Sequence, residues 1–193
     1  MTNNQQLRFL SEDNNILENY NNESNNNFKY DNYLLDNTNI LNEFKNICML
    51  DGLYLLEAPT GAGKTYLIQQ AFKELSKIHT DRLFILACPN RIQNLQNENT
   101  YRLVALVGGE SFKTLNTNCI SMVYDKTYDI LDYYRANFND ITLVIDEAHQ
   151  LIYSNNFRGQ ALKQLKELQD IATTTIHLTA TSRANRLVYN YKR

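Results

Sequence analysis

Residues 53–65 read LYLLEAPTGAGKT, and this stretch decides how the rest of the chain can fold. Its first residues form a short apolar run of strand length, and a glycine-rich loop follows. Apolar residues then recur at helical spacing, namely Leu67, Ile68, Ala71, Phe72, Leu75 and Ile78. A strand, a tight loop and an amphipathic helix in this order indicate the first unit of an α/β fold.

The same alternation continues along the chain on both sides of this unit. Further strands are predicted at residues 83–87, 102–107, 118–123, 143–146 and 176–179. Helices are predicted from about residue 38 and at residues 90–98, 125–136, 160–171 and 182–191. Short apolar strands separated by helices are typical of a parallel sheet that is covered on both faces. We therefore predict a three-layer α/β domain with a mainly parallel β-sheet.

Composition limits the class of protein. The chain has 193 residues, of which 43% are hydrophobic and 21% charged, as in an ordinary globular domain. Its apolar runs are strand-sized, and the N-terminus has no apolar segment typical of a secretory signal. We expect a cytoplasmic protein with no membrane partner. Cys48, Cys88 and Cys119 are widely spaced among apolar residues, which predicts buried, reduced thiols.

The N-terminal part differs in composition from the rest. Residues 1–35 are rich in Asn, which favours neither helix nor strand, so we expect a disordered tail before a domain at residues 36–193. Residues 1–36 carry two basic and six acidic side chains, and the remaining residues carry 17 basic and 15 acidic ones. Neither part has the basic surplus of a stand-alone nucleic-acid binder, so any such contact is expected to be local or to be completed by something outside this chain.

The glycine-rich loop has the context of a phosphate-binding loop. Its backbone N–H groups and the start of the following helix would surround the phosphates of ATP. Lys64 would reach the β- and γ-phosphates, and the Thr65 hydroxyl would bind Mg²⁺. Ala58 stands where the general pattern has Gly, and the alternative interpretation is a simple turn before a helix. The candidate nucleotide-binding residues are Thr60, Gly61, Ala62, Gly63, Lys64 and Thr65.

A second candidate group follows the apolar residues 141–145, where the chain continues as Asp146-Glu147-Ala148-His149. At the carboxyl end of a buried strand, Asp146 can hold the metal through water, and Glu147 can orient and deprotonate the attacking water. Adjacent carboxylates at the end of a strand are often only a solvated turn. Because ligands of parallel sheets bind at the carboxyl ends of the strands, both candidate groups are expected at one edge. We therefore predict catalytic roles for Lys64, Asp146 and Glu147.

With these two motifs in this order, the chain resembles the first RecA-like domain of a superfamily 2 helicase of the DEAH type. The phosphate loop matches motif I and residues 146–149 match motif II of that family. Thr179-Ala180-Thr181 resembles motif III, and the stretch that contains Pro89, Asn90 and Arg91 resembles motif Ia. Residues 120–125 are similar to motif Ib. The resemblance covers about residues 37–193 and implies a RecA-like P-loop NTPase fold.

The resemblance also implies roles for residues outside the nucleotide site. It implies that His149, Thr179 and Thr181 couple ATP hydrolysis to movement, and that Pro89, Asn90 and Arg91 bind nucleic acid. The alternative interpretations from the residues alone are a turn histidine at His149, ordinary strand residues at Thr179 and Thr181, and a solvated arginine at Arg91. The implied activity is hydrolysis of Mg·ATP that drives a helicase or translocase along DNA or RNA.

The resemblance implies a second RecA-like domain, which in such helicases supplies an arginine finger. The chain ends shortly after motif III, so we expect that domain to be supplied in cis or by a partner. Arg183 and Arg186 belong to the first domain and are not expected to act as the finger. The isolated chain is therefore expected to be nearly inactive. Two alternatives stay open, a translocase that moves on duplex without separating strands and a nucleotide-dependent binding or regulatory module without productive turnover.

Overall fold

The structure is a computed structural model, and it describes residues 8–9, 38–93, 95, 104–106, 117–127, 130, 133–134, 137–153, 155–181 and 183–192. The strands are β1 (Arg8–Phe9), β2 (Gly52–Glu57), β3 (Arg82–Cys88), β4 (Val104–Leu106), β5 (Cys119–Val123), β6 (Asp140–Ile145) and β7 (Thr174–Thr179). The helices are α1 (Thr38–Ile47), α2 (Lys64–Ile78), α3 (Gln150–Tyr153), α4 (Asn155–Ile171) and α5 (Arg183–Val188). A 3-10 turn, Tyr124–Lys126, follows β5.

The described strands form one sheet in the order β1-β2-β7-β6-β3-β5-β4. Neighbouring strands run parallel, except that β1 pairs antiparallel with β2. The predicted mainly parallel sheet is therefore confirmed. The strand before the glycine-rich loop, β2, and the strand before the acidic pair, β6, are not neighbours. Strand β7 lies between them and pairs with both.

Helices cover both faces of the sheet, as predicted. On one face, α1 and α2 contribute Phe44 and Phe72 to a buried cluster that includes Ile176 of β7. On the other face, Leu165 and Leu168 of α4 belong to a cluster with residues of β3, β5 and β6. Because alternate residues of each strand point to opposite faces, β3, β5 and β6 contribute residues to both clusters. The sheet is thereby fixed between two apolar layers, which confirms the three-layer architecture.

The last predicted helix, at residues 182–191, is shorter than expected. Helix α5 ends at Val188, and the Lys192 N–H donates to the Leu53 carbonyl of β2 over 2.9 Å. Between these points, the hydroxyl of Tyr191 lies 2.7 Å from Nδ1 of the buried His177. Burial lowers the pKa of His177 to about 3, which keeps its ring neutral beside this phenol. Tertiary packing on His177 therefore ends the helix, which gives this histidine a structural role.

Other boundaries also differ from the predictions. Strand β6 begins at Asp140 instead of residue 143, and α4 begins at Asn155 instead of residue 160. Strand β1 was not predicted, and the rest of residues 1–35 lies outside the described residues, so the disordered tail and the domain boundary stay predictions. The cysteines are buried, as predicted. In the described part of the chain, no helix is long and apolar enough to cross a membrane.

At the amino ends of the strands, the buried guanidinium of Arg82 joins several elements. Its Nη1 donates to the Cys48 carbonyl over 3.2 Å and to the Thr142 hydroxyl over 3.1 Å. The same atom donates to Thr174 Oγ1 over 3.3 Å, and Nη2 donates to Asp140 Oδ2 over 3.2 Å. Arg82 thus connects β3 with β6, β7 and the turn after α1.

We predict that Arg82→Met lowers the free energy of unfolding by about 2–3 kcal/mol, because hydrogen bonds to a buried charge are lost and their acceptors stay buried. The measurement is urea unfolding of the 193-residue chain. Lys45→Met is the control, since the Lys45–Glu74 pair is partly exposed and is worth about 0–1 kcal/mol. Equal stability losses in the two variants would contradict the role assigned to Arg82.

Candidate nucleotide-binding site

The glycine-rich loop connects the end of β2 to the start of α2. Gly61 and Gly63 both have φ of 82°, a left-handed conformation that favours glycine. A Cβ on Gly61 would meet nothing within 4 Å, so the backbone conformation and not crowding requires glycine there. Gly63 precedes the first residue of α2 and provides no side-chain cap. The first N–H groups of α2 are therefore presented to a ligand, as anion binding at a helix N-terminus requires.

The alanine at the first position of the motif also has a structural explanation. Ala58 is 1% exposed and packs in the apolar cluster beneath α2. Its N–H donates to the Thr179 carbonyl over 3.2 Å, so this residue extends the pairing of β2 with β7. Since Ala58 does not adopt positive φ, a methyl group is tolerated where the general pattern has glycine.

Lys64, the first residue of α2, is folded back into the loop. Its Nζ donates to the carbonyls of Ala58, over 2.8 Å, and Pro59, over 3.0 Å. Burial lowers the pKa of Lys64, while the nearby carboxylates of Asp146 and Glu147 act in the opposite direction. The predicted phosphate-binding lysine and the predicted acidic pair are therefore brought together across β7.

Asp146 follows the end of β6 and is 3% exposed. Its Oδ1 accepts from the Glu147 N–H over 2.9 Å, and its Oδ2 accepts from Gln93 Nε2 over 2.5 Å. Burial raises the pKa of Asp146, and so does the Glu147 carboxylate, whereas these hydrogen bonds and Lys64 favour the charged form. A buried carboxylate between a lysine and a neighbouring acid is characteristic of functional sites.

Glu147 has φ of 52° and is the one residue other than glycine with positive φ in the described part of the chain. Such a conformation is uncommon for a residue with a long side chain, and strained residues cluster at functional sites. The turn is held by the Ala148 N–H, which donates to the Leu178 carbonyl over 2.8 Å. Strand β7 therefore supports the acidic turn as well as the glycine-rich loop.

The residues predicted to couple the site to movement lie in one chain of contacts. Nδ1 of His149 is 3.2 Å from Glu147 Oε2 and 3.3 Å from Thr179 Oγ1. Thr179 Oγ1 also accepts from the Thr181 N–H over 3.0 Å. A displacement of the segment after β7 would thus reach the Glu147 carboxylate through His149.

The predicted nucleic-acid residues lie after β3, at the same edge of the sheet. Pro89 is buried, whereas Asn90 and Arg91 are exposed. The Asn90 Oδ1 accepts from the Gln93 N–H over 2.8 Å, which caps the helical turn that begins at Arg91. The structure places this segment beside the acidic turn through Gln93, and among the described contacts Arg91 makes none with the nucleotide loop.

The donor atoms at this edge suit Mg²⁺ and a nucleotide triphosphate. Thr65 supplies a hydroxyl and Asp146 a carboxylate, and hard oxygen ligands of this kind are preferred by Mg²⁺. No group of three or more His, Cys, Asp or Glu side chains that could enclose a metal occurs among the described residues. A site with few protein ligands, completed by waters and phosphate oxygens, is the usual arrangement for Mg²⁺. The residues present therefore fit Mg·ATP.

Several contacts of the site could not be predicted from local sequence. Tyr124 Oη donates to the Asp146 carbonyl, and Nδ2 of the buried Asn185 donates to the Ala148 carbonyl over 3.1 Å. Arg186 Nη2 donates to Glu57 Oε2 over 2.7 Å, beside the end of β2. Tyr124 lies in the stretch similar to motif Ib, and Gln93 lies two residues after Arg91 of the stretch similar to motif Ia. The Gln93 bond to Asp146 crosses from β3 to β6 and has no local signature.

Solved structures with a similar fold include a restriction-modification enzyme and an ATPase core. A nuclease-deletion mutant of the type ISP restriction-modification enzyme LlaGI, in complex with a DNA substrate mimic, aligns with a TM-score of 0.50 at 16% identity. The alignment covers 75% of this chain and 16% of that one. The Sulfolobus solfataricus SWI2/SNF2 ATPase core, in complex with dsDNA, aligns with a TM-score of 0.51 at 20% identity. It covers 76% of this chain and 31% of that one, and at these identities the likeness concerns the fold alone.

Sequence comparison gives a relative and a family. The uncharacterized protein MJECL28 of Methanocaldococcus jannaschii is 33% identical in an alignment of 144 residues, and the match covers 65% of this chain and 11% of that protein. The chain thus spans about a tenth of the length of this relative. The family model for the type III restriction enzyme, res subunit, matches residues 28–184, which is most of the chain and includes both candidate motifs. The protein therefore belongs to the family of the type III restriction enzyme res subunit.

Proposed function

We propose that this chain is the ATP-binding half of a superfamily 2 helicase or translocase, which hydrolyses Mg·ATP to move along nucleic acid. The observation that carries the proposal is the convergence of Lys64, Asp146 and Glu147 at one edge of the sheet, with His149 joining Glu147 to Thr179. The finer assignment to the DEAH type rests on residues 146–149. Family membership supports an ATP-dependent motor.

In the proposed reaction, Lys64 exchanges its bonds to the Ala58 and Pro59 carbonyls for bonds to the β- and γ-phosphate oxygens. The helix start after Gly63 stabilises the phosphate charge by its N–H groups. Thr65 and Asp146 would hold Mg²⁺, which when bound neutralises charge that develops on the phosphate oxygens. Lys64, Gly63 and Thr65 thus act as binding and orienting groups, and none of them exchanges a proton.

Glu147 performs the proton transfer in this scheme. Its carboxylate orients a water molecule, accepts a proton from it as the oxygen attacks the γ-phosphorus, and the bond to the ADP oxygen breaks. His149 holds the Glu147 carboxylate and so determines where it points. Thr179 and Thr181 would communicate the state of this pair to the segment after β7.

The first test removes the phosphate-binding charge. We predict that Lys64→Ala weakens Mg·ATP binding about 10- to 100-fold, as the loss of hydrogen bonds from a buried charged donor implies. Isothermal calorimetry on the folded variant measures this, with Lys73→Ala as the control because Lys73 is exposed on the same helix α2. Unchanged affinity of Lys64→Ala would refute the assignment of the phosphate-binding loop.

The second test separates binding from hydrolysis. We predict that Glu147→Gln keeps Mg·ATP bound and slows hydrolysis about 10²- to 10⁴-fold, since the base is lost and Asp146 is spared. Single-turnover hydrolysis and calorimetry, with the second RecA-like domain present, measure the two quantities. Glu74→Gln is the matched control, because Glu74 is exposed and pairs only with Lys45 in the described contacts. Normal hydrolysis by Glu147→Gln would exclude Glu147 as the base.

The third test concerns the proposed second domain. An arginine finger contributes about 10³–10⁵ in rate in related nucleotidases. Arg186 is held by Glu57 at the end of β2, which is consistent with a structural role. We predict that residues 1–193 alone hydrolyse ATP very slowly and with little stimulation by DNA or RNA, and that a second RecA-like domain restores both. A fast, nucleic-acid-stimulated ATPase from the chain alone would contradict this.

A second candidate function is a translocase that moves along duplex DNA without separating its strands. Membership in a family named for a restriction enzyme favours it. Both functions require the same ATPase chemistry, so a strand-displacement assay beside an ATPase assay with duplex DNA, single strands and RNA separates them. ATPase activity stimulated by duplex without strand displacement would favour the translocase. Nucleotide binding without turnover, even with the second domain, would favour a regulatory module.

A further inference from the structure

The carboxylate of Asp146 receives hydrogen bonds from two different parts of the chain. Its Oδ1 accepts from the adjacent Glu147 N–H, and its Oδ2 accepts from the side chain of Gln93, which is 53 residues away in sequence. Each oxygen has a second lone pair that can accept from a metal-bound water. The two donors approach different oxygens, so together they determine the plane of the carboxylate.

The backbone of Asp146 is held independently of Gln93. Its carbonyl accepts from the hydroxyl of Tyr124, and its N–H donates to the Ala87 carbonyl over 2.9 Å. Tyr124 is 1% exposed, and its own carbonyl accepts from the Thr127 hydroxyl. Loss of the Gln93 amide would therefore leave the position of Asp146 unchanged and release only the rotation of its carboxylate.

Gln93 itself is positioned by the segment predicted to bind nucleic acid. Its N–H donates to the Asn90 side chain over 2.8 Å, in the turn that carries the exposed Arg91. A single helical turn thus presents a cation to solvent on one side and a neutral amide donor to Asp146 on the other. An amide suits this place because it satisfies the carboxylate without the positive charge that would compete with Mg²⁺.

We propose that Gln93 is a positioning residue, which orients the Asp146 carboxylate for Mg²⁺ and joins the Asn90–Arg91 turn to the metal site. The inference rests on the proposed function, since it assumes that Asp146 holds the metal of Mg·ATP. Gln93 touches neither nucleotide nor metal in this scheme and acts only through Asp146. Partners of metal ligands typically change metal affinity about 10- to 100-fold when they are removed.

The test compares nucleotide affinity with and without metal in the 193-residue chain. The dissociation constant of a fluorescent ATP analogue is measured in excess Mg²⁺ and in EDTA. The value in EDTA divided by the value in Mg²⁺ reports how much the metal contributes to binding. For Gln93→Leu, we expect this ratio to fall about 10-fold with the affinity in EDTA unchanged. Manganese binding, followed by electron paramagnetic resonance in the presence of ADP, should weaken by a similar factor.

Two further variants keep the test decisive. Ile92→Ala is the control, because Ile92 lies beside Gln93 in the same turn and is 72% exposed, and its ratio should equal that of the wild type. Gln93→Met, which keeps an unbranched side chain, replaces the leucine variant if that variant fails to fold. An unchanged ratio, or an equal loss of affinity with and without metal, would overturn the role of Gln93. If the wild-type chain bound the ATP analogue equally well with and without Mg²⁺, the proposed metal site would be wrong, and so would the role of Gln93.

Discussion

Strand β7 runs between the two strands that end in the candidate site, and its backbone holds both of the loops that follow them. The Thr179 carbonyl accepts from Ala58 at the start of the glycine-rich loop, and the Leu178 carbonyl accepts from Ala148 in the acidic turn. Hydrogen-bonded strands of a sheet have a nearly constant spacing. Because β7 lies between β2 and β6, the distance between the two loops is two such spacings. Lys64 and Asp146 can therefore act on one ligand although 82 positions separate them in sequence.

This placement buries two charged groups, and the polar contacts of the site offset the cost of burying them. Burial alone disfavours a charge on both Lys64 and Asp146, and each group is stabilised by the other and by hydrogen bonds. Gln93 and the Glu147 N–H satisfy the carboxylate, and the Ala58 and Pro59 carbonyls satisfy the ammonium. Because these partners are neutral, a ligand with phosphate and Mg²⁺ can replace or join them without a clash of charge.

Sequence reasoning was successful where structure is local and failed where it depends on distant partners. The glycine-rich loop and α2 were predictable because left-handed glycines and an apolar stripe of helical period are local features. The predicted end of the last helix was wrong, because Tyr189 and Tyr191 pack on His177, which belongs to another element. The position of β7 between β2 and β6 and the bond from Gln93 to Asp146 have no local signature. The resemblance to helicases predicted that His149 and Thr179 act together, but only the fold shows that their side chains are in contact.

A structure of the chain with Mg²⁺ and a non-hydrolysable ATP analogue would show whether Lys64, Thr65 and Asp146 act on one ligand. We predict that Lys64 Nζ leaves the Ala58 and Pro59 carbonyls and lies about 3 Å from β- and γ-phosphate oxygens. We also predict that the metal binds the Thr65 hydroxyl and that one water molecule joins it to the Asp146 carboxylate. An analogue bound away from the glycine-rich loop, or bound there with Lys64 still on both carbonyls, would contradict the account.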